Sequence, residues 1–590
     1  MVLERILKAK DIIRRKIPEA FCPIGYENKG LSWEIVIDMN GKTVGPFIPC
    51  GESSGEKTKK TKKTKKVNGF KNVPLPWNKR SNEINPRVLA DQAKYILELV
   101  DEKNPKAERA ERLHASFIDL TRECFEKTRS DDVRAVLRFL ESGSWEKELE
   151  AAVENGLLSD DVMTFRIDGH PDLIIESDDV MRFWATRSIE TEDVGTCLLC
   201  GEKGAICRTH PIRINGVPGP SGGGDLISFN RSSTWSYDKQ QSLNSPVCPS
   251  CAMDYARVLN ALLKSGDHCV KFEDSAIVAW GEEQDFNPRM MDIRNPSAGS
   301  SSFITNMIDS PWRGKPVPGE VDEMFNIIDM MRGRRQSRIV IRGYRRERIH
   351  VIRERITRFF EASRICDWSE NIDDKFHGLF ELAIACCKDG DSGSMGEKIK
   401  RVFEGRFLAD WFSAIVMGNA FPSRRLMSAM LGRVKAGDRF DRKRAALGRL
   451  LINQKGDVMP VALDESIKDP AYLLGRFFSI VEFMQKERGG VSSTIAKQYL
   501  NEMMNRPQRA FSNLAEMSVK YASQMSDGKR VNYEKIVLGI TEGLSVSDIP
   551  RTFTDEQRVT FLLGRYHQDA NVWKGRVKNK EATAPEEETE

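Results

Sequence analysis

Two pairs of cysteines have the spacing and the neighbours of a structural metal site. Cys197 and Cys200 form one C-x-x-C pair, which Gly201 follows, and Cys248 and Cys251 form the other. Two such turns supply four thiolates, which suit tetrahedral Zn²⁺ and leave no coordination position open for catalysis. The sequence therefore predicts one structural zinc ion per chain, with a long insertion between the two pairs.

Two alternatives to this ligand set remain open. Cys207 and His210 follow the first pair closely and could replace one of the four ligands. The four cysteines could also be unrelated reduced thiols of a hydrophobic core, since cytosolic proteins keep their cysteines reduced.

The densest basic segment, 332–358, holds eleven arginines and only two acidic residues, Glu347 and Glu354. Arginine forks match phosphate oxygens, so this density favours a polyanion site over a helix that carries arginine only for solubility. In residues 338–342 the isoleucines would fall on one face and the arginines on the other, which predicts a strand. The apolar side chains that recur at helical spacing are expected in the core: Ile349, Ile352, Ile356 and Phe359.

Two loops between the structured elements could also contact phosphates. Residues 57–66 contain seven lysines and nothing that can be buried, which predicts a solvated loop. Residues 216–224 are rich in glycine, which lets backbone N–H groups approach phosphates, but no Gly-Lys-Ser/Thr follows. An ordinary flexible loop is the favoured interpretation of 216–224.

No enzyme motif is present in the sequence. It lacks H-E-x-x-H, G-x-S-x-G and a Walker pair, and its seven histidines are dispersed. Asp168 with His170, and Asp373 and Asp374 with His377, are too generic to indicate a catalytic site. The sequence therefore predicts a protein that is not an enzyme.

Length and composition set the broad class. A chain of 590 residues exceeds one hydrophobic core, so several domains are expected. Its 40% hydrophobic and 30% charged residues are typical of a globular protein, and no apolar run approaches the ~18–20 residues of a membrane span. The charged N-terminus lacks the apolar stretch of a signal peptide. We therefore expect a soluble, cytoplasmic protein.

The pattern of elements predicts an α+β N-terminal half with a zinc-knuckle insertion and an all-α C-terminal helical bundle. Asn40-Gly41 between two β-rich runs predicts a hairpin, and Leu89, Ala93, Ile96 and Leu97 predict a helix after Pro86. The expected domains are an N-terminal part, a part with the cysteine pairs at 195–255, an arginine-rich and mostly helical part, and a C-terminal bundle, at 1–160, 161–310, 321–455 and 459–590. The expected C-terminal helices lie near 400–417, 424–435, 440–453, 470–487, 491–504, 508–526, 530–543 and 555–570.

Several segments together resemble the large subunit of the subtype I-C CRISPR Cascade, an RNA-guided DNA surveillance complex of prokaryotic antiviral defence. Each fragment is short, but their order and spacing extend over nearly the whole chain. The fragments are 31–41 (LSWEIVIDMNG), 79–91 (KRSNEINPRVLAD), 138–141 (RFLE), 165–169 (FRIDG), 209–217 (THPIRINGV), 228–230 (SFN), 236–247 (SYDKQQSLNSPV), 471–478 (AYLLGRFF) and 561–568 (FLLGRYHQ).

The resemblance implies a non-catalytic subunit that reads a short motif beside the target, the PAM, on duplex DNA. It also implies that this subunit promotes R-loop formation, holds the displaced strand and docks a helicase–nuclease, while base pairing reads the target. The implied partners are guide RNA, target DNA, the backbone, handle-binding and small subunits of Cascade, and the helicase–nuclease, with no membrane. The amino-acid sequence of 83–87 and the presence of the four cysteines depart from the family pattern. The competing hypothesis is a zinc-supported nuclease for single-stranded DNA.

The resemblance also assigns candidate nucleic-acid residues. The PAM reader is expected at Lys79, Arg80, Ser81, Asn82, Asn85 and Arg87. Contacts to the DNA backbone are expected from Lys59, Lys60, Lys62, Lys63, Lys65, Lys66, Ser221, Lys239 and Gln240. The displaced strand is expected at Arg334, Arg335, Arg338, Arg342, Arg345 and Arg346. In subtype I-C systems the small subunit comes from an internal start, for which Val458 or Met459 is the candidate here.

Overall fold

The computed structural model describes residues 2–51, 71–78, 84–100, 107–189, 193–219, 223–266, 268–282, 324–333, 338–367, 377–454, 456, 458–489 and 493–582. The chain divides into two compact units. The first is Met1–Ser265 with Met330–Ile341, and the second is Gly266–Asp329 with Arg342–Glu590. This division does not test the four domains expected from the sequence, which stay a prediction.

The first unit is built around a four-stranded mixed sheet. Its strand order is β3-β2-β6-β5, with β2 and β6 parallel and the outer strands antiparallel. Every residue of β2 is buried, since both faces of this central strand are covered. The N-terminal strands of the first unit are β1 Tyr26–Leu31, β2 Trp33–Ile37, β3 Ile48–Pro49, β4 Lys71–Pro76, β5 Ala90–Gln92 and β6 Val162–Ile167. Strand β1 pairs with β4.

Amphipathic helices cover this sheet and complete the core of the first unit. In Asp131–Ser142 the apolar residues Val133, Val136 and Phe139 recur at helical spacing and are buried. The helices are α1 Val2–Lys8, α2 Lys10–Lys16, α3 Ala93–Ile96, α4 Ala107–Thr128, α5 Asp131–Ser142, α6 Glu146–Glu154, α7 Asp178–Ile189 and α8 Pro249–Lys264.

The hairpin expected at Asn40-Gly41 is confirmed. The Asp38 side chain accepts hydrogen bonds from the N–H groups of Asn40 at 2.9 Å and Lys42 at 2.8 Å. Gly41 has φ +83°, and a Cβ there would lie 2.7 Å from the backbone nitrogen of Phe139. Glycine is therefore required both by the turn and by the close approach of α5.

The helix expected after Pro86 is wrong over most of its length. Residues Ala90–Gln92 form strand β5, and the helix is the single turn Ala93–Ile96. Leu89 has a positive φ of 53°, which interrupts a helix. The buried Asp91 side chain also accepts hydrogen bonds from the N–H groups of Arg87 and Gln92, at 2.8 and 2.7 Å. The apolar side chains are buried as expected, but from an irregular segment.

A sheet of strand order β12-β11-β10-β9 lies mostly in the second unit, although the end of β11 and the start of β12 fall in Met330–Ile341 and so belong to the first. The strand expected at 338–342 is confirmed and extends to Arg348. Its neighbour Met324–Arg332 lies in a region expected to be helical, and that expectation is wrong. Both faces of this inner strand are buried, so its apolar residues do not alternate with exposed ones, and Asn326 and Asp329 are buried among them. The strands are β9 Cys269–Lys271, β10 Ser275–Gly281, β11 Met324–Arg332 and β12 Ile339–Arg348.

The remainder of the second unit is helical and shares one hydrophobic core. The helices expected from periodicity are present, although the one expected at 400–417 is interrupted between Val402 and Phe407. Ile349, Ile352, Ile356 and Phe359 are buried, as expected. The helices are α9 Ile349–Ser363, α10 Leu379–Ile384, α11 Met395–Val402, α12 Phe407–Met417, α13 Ser423–Lys435, α14 Arg442–Asn453, α15 Pro470–Arg488, α16 Ile495–Asn505, α17 Pro507–Ala522, α18 Asp527–Thr541 and α19 Asp555–Ala582.

Helices α15 and α19 approach each other closely at a pair of glycines. A Cβ placed on Gly475 would lie 2.0 Å from the carbonyl oxygen of Phe561, and one on Gly564 would lie 2.2 Å from that of Tyr472. Polar contacts close the crossing: Arg476 donates to Gln568 at 3.0 Å, Arg565 to Glu482 at 2.9 Å and Ser479 to Asp569 at 2.5 Å.

Candidate metal centre and basic surfaces

The four cysteines of the two C-x-x-C pairs lie together in the first unit. The sulfur atoms of Cys197, Cys200, Cys248 and Cys251 are all within 4.8 Å of one another. A tetrahedral ion with metal–sulfur bonds of about 2.3 Å separates its ligands by about 3.8 Å. The Cys200 and Cys248 sulfurs are 3.9 Å apart. The cluster therefore has the dimensions of a metal site with four thiolates.

Two local elements position these thiols. Cys197 and Cys200 lie in the turn between β7 Val194–Thr196 and β8 Lys203–Ala205, where Gly201 has φ +78°. Cys248 is the N-cap of α8, with Pro249 in the first helical position. A C-x-x-C pair across a helix start directs both sulfurs to the same side, and a helix N-terminus favours thiolate over thiol.

Backbone N–H groups surround the Cys197 sulfur. It accepts hydrogen bonds from the N–H groups of Cys248 at 3.3 Å and Leu199 at 3.4 Å. Burial opposes ionisation, but the N–H groups of Cys248, Cys200 and Leu199 outweigh it and lower the pKa of Cys197 to about 7. Burial raises the pKa of Cys248 and Cys251. A cation at the centre would favour the thiolate form of all four.

The two alternative ligands lie outside this cluster. Cys207 is buried, burial raises its pKa to about 12, and its sulfur is not part of the cluster of four. His210 is also buried, and its Nδ1 forms a hydrogen bond with the Tyr255 hydroxyl. The metal-ligand grouping found in the described part of the chain contains the four cysteines alone.

The PAM reader expected from the sequence is described only at its C-terminal end, since Lys79, Arg80, Ser81 and Asn82 lie outside the described residues. Asn85 is exposed and Arg87 is half-buried. The Asn78 side chain donates to the carbonyl oxygens of Asn85 at 3.1 Å and Pro86 at 3.0 Å. Together with the bond from the Arg87 N–H to Asp91, this holds residues 85–87 in a defined conformation.

A cavity of about 320 Å³ adjoins this segment within the first unit. Its walls include Trp77, Asn78, Asn85, Trp184 and Arg208, and the Trp184 Nε1 donates to the Gly25 carbonyl at 2.8 Å. The sequence does not predict this cavity, because its walls come from segments far apart in the chain. The tryptophans alone carry no signal of it.

The residues expected to contact the DNA backbone fall in different surroundings. The lysines expected to grip phosphates and Ser221 lie outside the described residues. Lys239 and Gln240 are exposed in one loop. Arg332 is 7% exposed, packs on Gly219 and donates to the Gly223 carbonyl. Arg332 therefore supports the Gly-rich loop and does not belong to a phosphate surface.

The arginines of 332–358 divide into paired and exposed side chains. Arg346 donates to both carboxylate oxygens of Glu282 at 2.7 Å, and Arg355 pairs with Glu347. Arg342 and Arg345 are exposed, and no salt bridge in the described part of the second unit includes either of them. Arg338 is half-buried. Arg334 and Arg335 lie outside the described residues.

A family model described as CRISPR-associated protein (Cas_Csd1) matches residues 7–573, which is nearly the whole chain. The chain belongs to the Cas_Csd1 family. As a Cas_Csd1 protein it is a CRISPR-associated component of Cascade type, for which nucleic-acid and Cascade partners are expected. The resemblance read from the sequence is confirmed at this level. No curated protein matches the sequence.

Among the described residues of this Cas_Csd1 protein, no helix combines the length and the apolar composition that crossing a bilayer requires. The longest helix in this part of the chain, α19 Asp555–Ala582, is continuous and has charged residues in its sequence near both ends and in the middle.

Proposed function

We propose that the chain is the non-catalytic large subunit of a subtype I-C Cascade in the antiviral defence of a prokaryote. In this function it recognises the PAM on duplex DNA, promotes R-loop formation, holds the displaced strand and docks the helicase–nuclease. The observation that carries the proposal is the family match over residues 7–573. The exposed Arg342 and Arg345 and the ordered segment 85–87 support DNA contact.

We further infer that the four-cysteine cluster holds one structural Zn²⁺. Four thiolates complete a tetrahedral shell, so a substrate has no free position on the ion. Metal-assisted hydrolysis of a phosphodiester uses hard oxygen ligands instead. This ligand chemistry disfavours the competing function, a zinc-supported nuclease. Incubation of the pure protein with single-stranded and duplex DNA and Mg²⁺ or Mn²⁺ tests the nuclease hypothesis. Specific cleavage would favour that hypothesis.

The PAM prediction concerns Asn85 and Arg87. In an assembled complex challenged with a randomised PAM library, Asn85→Ala or Arg87→Ala should change the selected sequences, because amide and guanidinium groups read base edges. We expect the preference at one position to fall by about 5- to 150-fold. Arg112→Ala, which removes an exposed arginine of α4, is the matched control and should select the wild-type motif.

Removal of the lysines at 59–66 should act differently, weakening binding to all library members and flattening its salt dependence. Selection of the wild-type motif by both loop variants would mean that the reader lies elsewhere in the chain.

The displaced-strand prediction concerns Arg342 and Arg345. Changing both to Glu should leave initial PAM binding intact and destabilise the complete R-loop, because repulsion acts only on the strand released from the duplex. Footprinting of the non-target strand measures this. Lys388→Glu with Arg424→Glu, two exposed sites in the same unit, is the charge-matched control.

Arg346→Glu should instead lower the melting temperature, since it places a second carboxylate beside Glu282. Equal loss of binding at both stages in the Arg342→Glu, Arg345→Glu variant would contradict a role specific to the displaced strand.

The proposed internal start lies between α14 and α15, where Val458 is 89% exposed and no helix would be cut. A separate polypeptide that starts here would nevertheless lose contacts with residues that precede it in the full chain. The Tyr566 hydroxyl donates to the Cys366 carbonyl at 3.0 Å, and Gly448 lies against Val559. Expression of the untagged natural gene should yield a second polypeptide covering 459–590; its absence from a fully assembled complex would count against an internal start.

A further inference from the structure

Residues 231–240 form an exposed projection of the first unit that carries two aromatic side chains. All ten residues are exposed, with Trp235 at 36% and Tyr237 at 95% of their full accessibility. A ring that is almost completely in water contributes no burial to the stability of the fold. Within the described part of the chain, the side chain of Tyr237 therefore has no packing partner that would account for a tyrosine at this position.

The backbone of residues 236–239, the tip of this projection, has a conformation that is unfavourable for a tyrosine. The Lys239 N–H donates to the Ser236 carbonyl at 3.1 Å, which closes a four-residue turn. Its two central residues both have positive φ, 52° for Tyr237 and 58° for Asp238. Positive φ at both central positions defines a type I′ turn, where glycine and asparagine are the unstrained residues. An aromatic residue is thus kept in a strained backbone conformation, although its ring packs against no other side chain among the described residues.

A single side chain braces this turn. Asn244 accepts from the Ser236 N–H at 2.7 Å and donates to the carbonyls of Lys239 at 2.6 Å and Gln241 at 2.9 Å. Trp235 is fixed in addition by its Nε1, which donates to the Phe229 carbonyl at 2.8 Å. The tip is therefore ordered before it meets a partner, and Tyr237 is held outward by hydrogen bonds.

The charges of the projection favour a polyanion. Arg231 and Lys239 are basic, and Asp238 is its one acidic residue. Exposed aromatic rings combined with basic side chains are the common way in which proteins bind unpaired strands, because every base has a face on which a ring can stack. We propose that the ring of Tyr237 stacks on an unpaired DNA base while Lys239 contacts the adjoining phosphate. This inference rests on the proposed function and deepens it.

Fluorescence of single-stranded DNA that carries 2-aminopurine tests the stacking with the full chain. Wild type should quench the fluorescence, and Tyr237→Ala should abolish the quenching and weaken binding by about 5- to 150-fold. Tyr237→Phe retains a ring and should behave as wild type. Lys239→Ala should keep the quenching but flatten the salt dependence of binding. Asn244→Ala should reduce the quenching, since Asn244 acts by positioning the tip.

Tyr237→Gly separates function from folding. Glycine adopts positive φ without strain, so its melting temperature should equal or exceed that of wild type, although the quenching is lost. Wild-type quenching in Tyr237→Ala, or a Tyr237→Gly variant that unfolds, would overturn the proposal.

Loss of assembly with the other protein subunits in Tyr237→Ala, with DNA affinity unchanged, would assign the tip to a protein contact and also overturn the proposal. The proposed function would survive each of these results, because PAM selection by the complex is measured separately. A complex that selects no PAM would overturn the proposed function itself.

Discussion

Gly475→Ala should destabilise the second unit by about 3 kcal/mol or more, and Gly564→Ala should have an effect of similar size. The added methyl group would lie 2.0 Å from the Phe561 carbonyl oxygen in the first variant and 2.2 Å from that of Tyr472 in the second. Backbone atoms of a packed helix cannot rotate away as a side chain does, so α15 and α19 must separate. Thermal and urea unfolding measure the loss.

A matched control is available in the same unit. Gly539 lies in the exposed interior of α18, where an added Cβ has no atom within 4 Å. Gly539→Ala should therefore stabilise the chain by up to about 1 kcal/mol through helix propensity alone. Wild-type stability in Gly475→Ala would mean that the two helices do not cross at these glycines.

Cys200→Ser should abolish metal binding and unfold the segment that the cluster holds. Wild type should contain about one zinc per chain, since a four-thiolate shell takes a single ion. Binding of structural zinc contributes on the order of 10 kcal/mol at neutral pH, and the short strands β7 and β8 have little core of their own to replace it. Metal analysis, the melting temperature and the rate of proteolysis within 193–251 measure the effect.

Cys50→Ser is the control for the loss of a thiol. Cys50 is half-buried in the first unit and lies outside the cluster, so this variant should retain its metal. Removal of the metal from wild type with a chelator should reproduce the behaviour of Cys200→Ser. A wild-type protein that is well folded without metal would contradict the site.

Local signals in the sequence predicted much of this structure. Helices α13 to α19 follow from an apolar period of 3.6, and the four-cysteine cluster follows from two C-x-x-C pairs. The failures occur where tertiary contacts decide. Both faces of the inner strand β11 are buried, so its apolar residues do not show the alternation that distinguishes a half-buried strand from a helix. The pairing of Arg346 with Glu282 joins residues 64 positions apart. For Tyr237, a Tyr-Asp pair gives no indication of a type I′ turn.

A metal ion bound by the four cysteines would close the 47 residues between Cys200 and Cys248 into a ring. Joining the ends of a free segment of that length costs about 3 kcal/mol of chain entropy. The binding of one metal ion would offset this cost. The tip at Tyr237 lies on this ring, 37 residues after Cys200 and 11 residues before Cys248. Ile206, Ile214 and Val247 of this ring are buried, so its position derives from the four sulfur atoms together with these apolar side chains. Thiol oxidation or a shortage of zinc would loosen the ring that carries the tip, while the helical second unit stays folded.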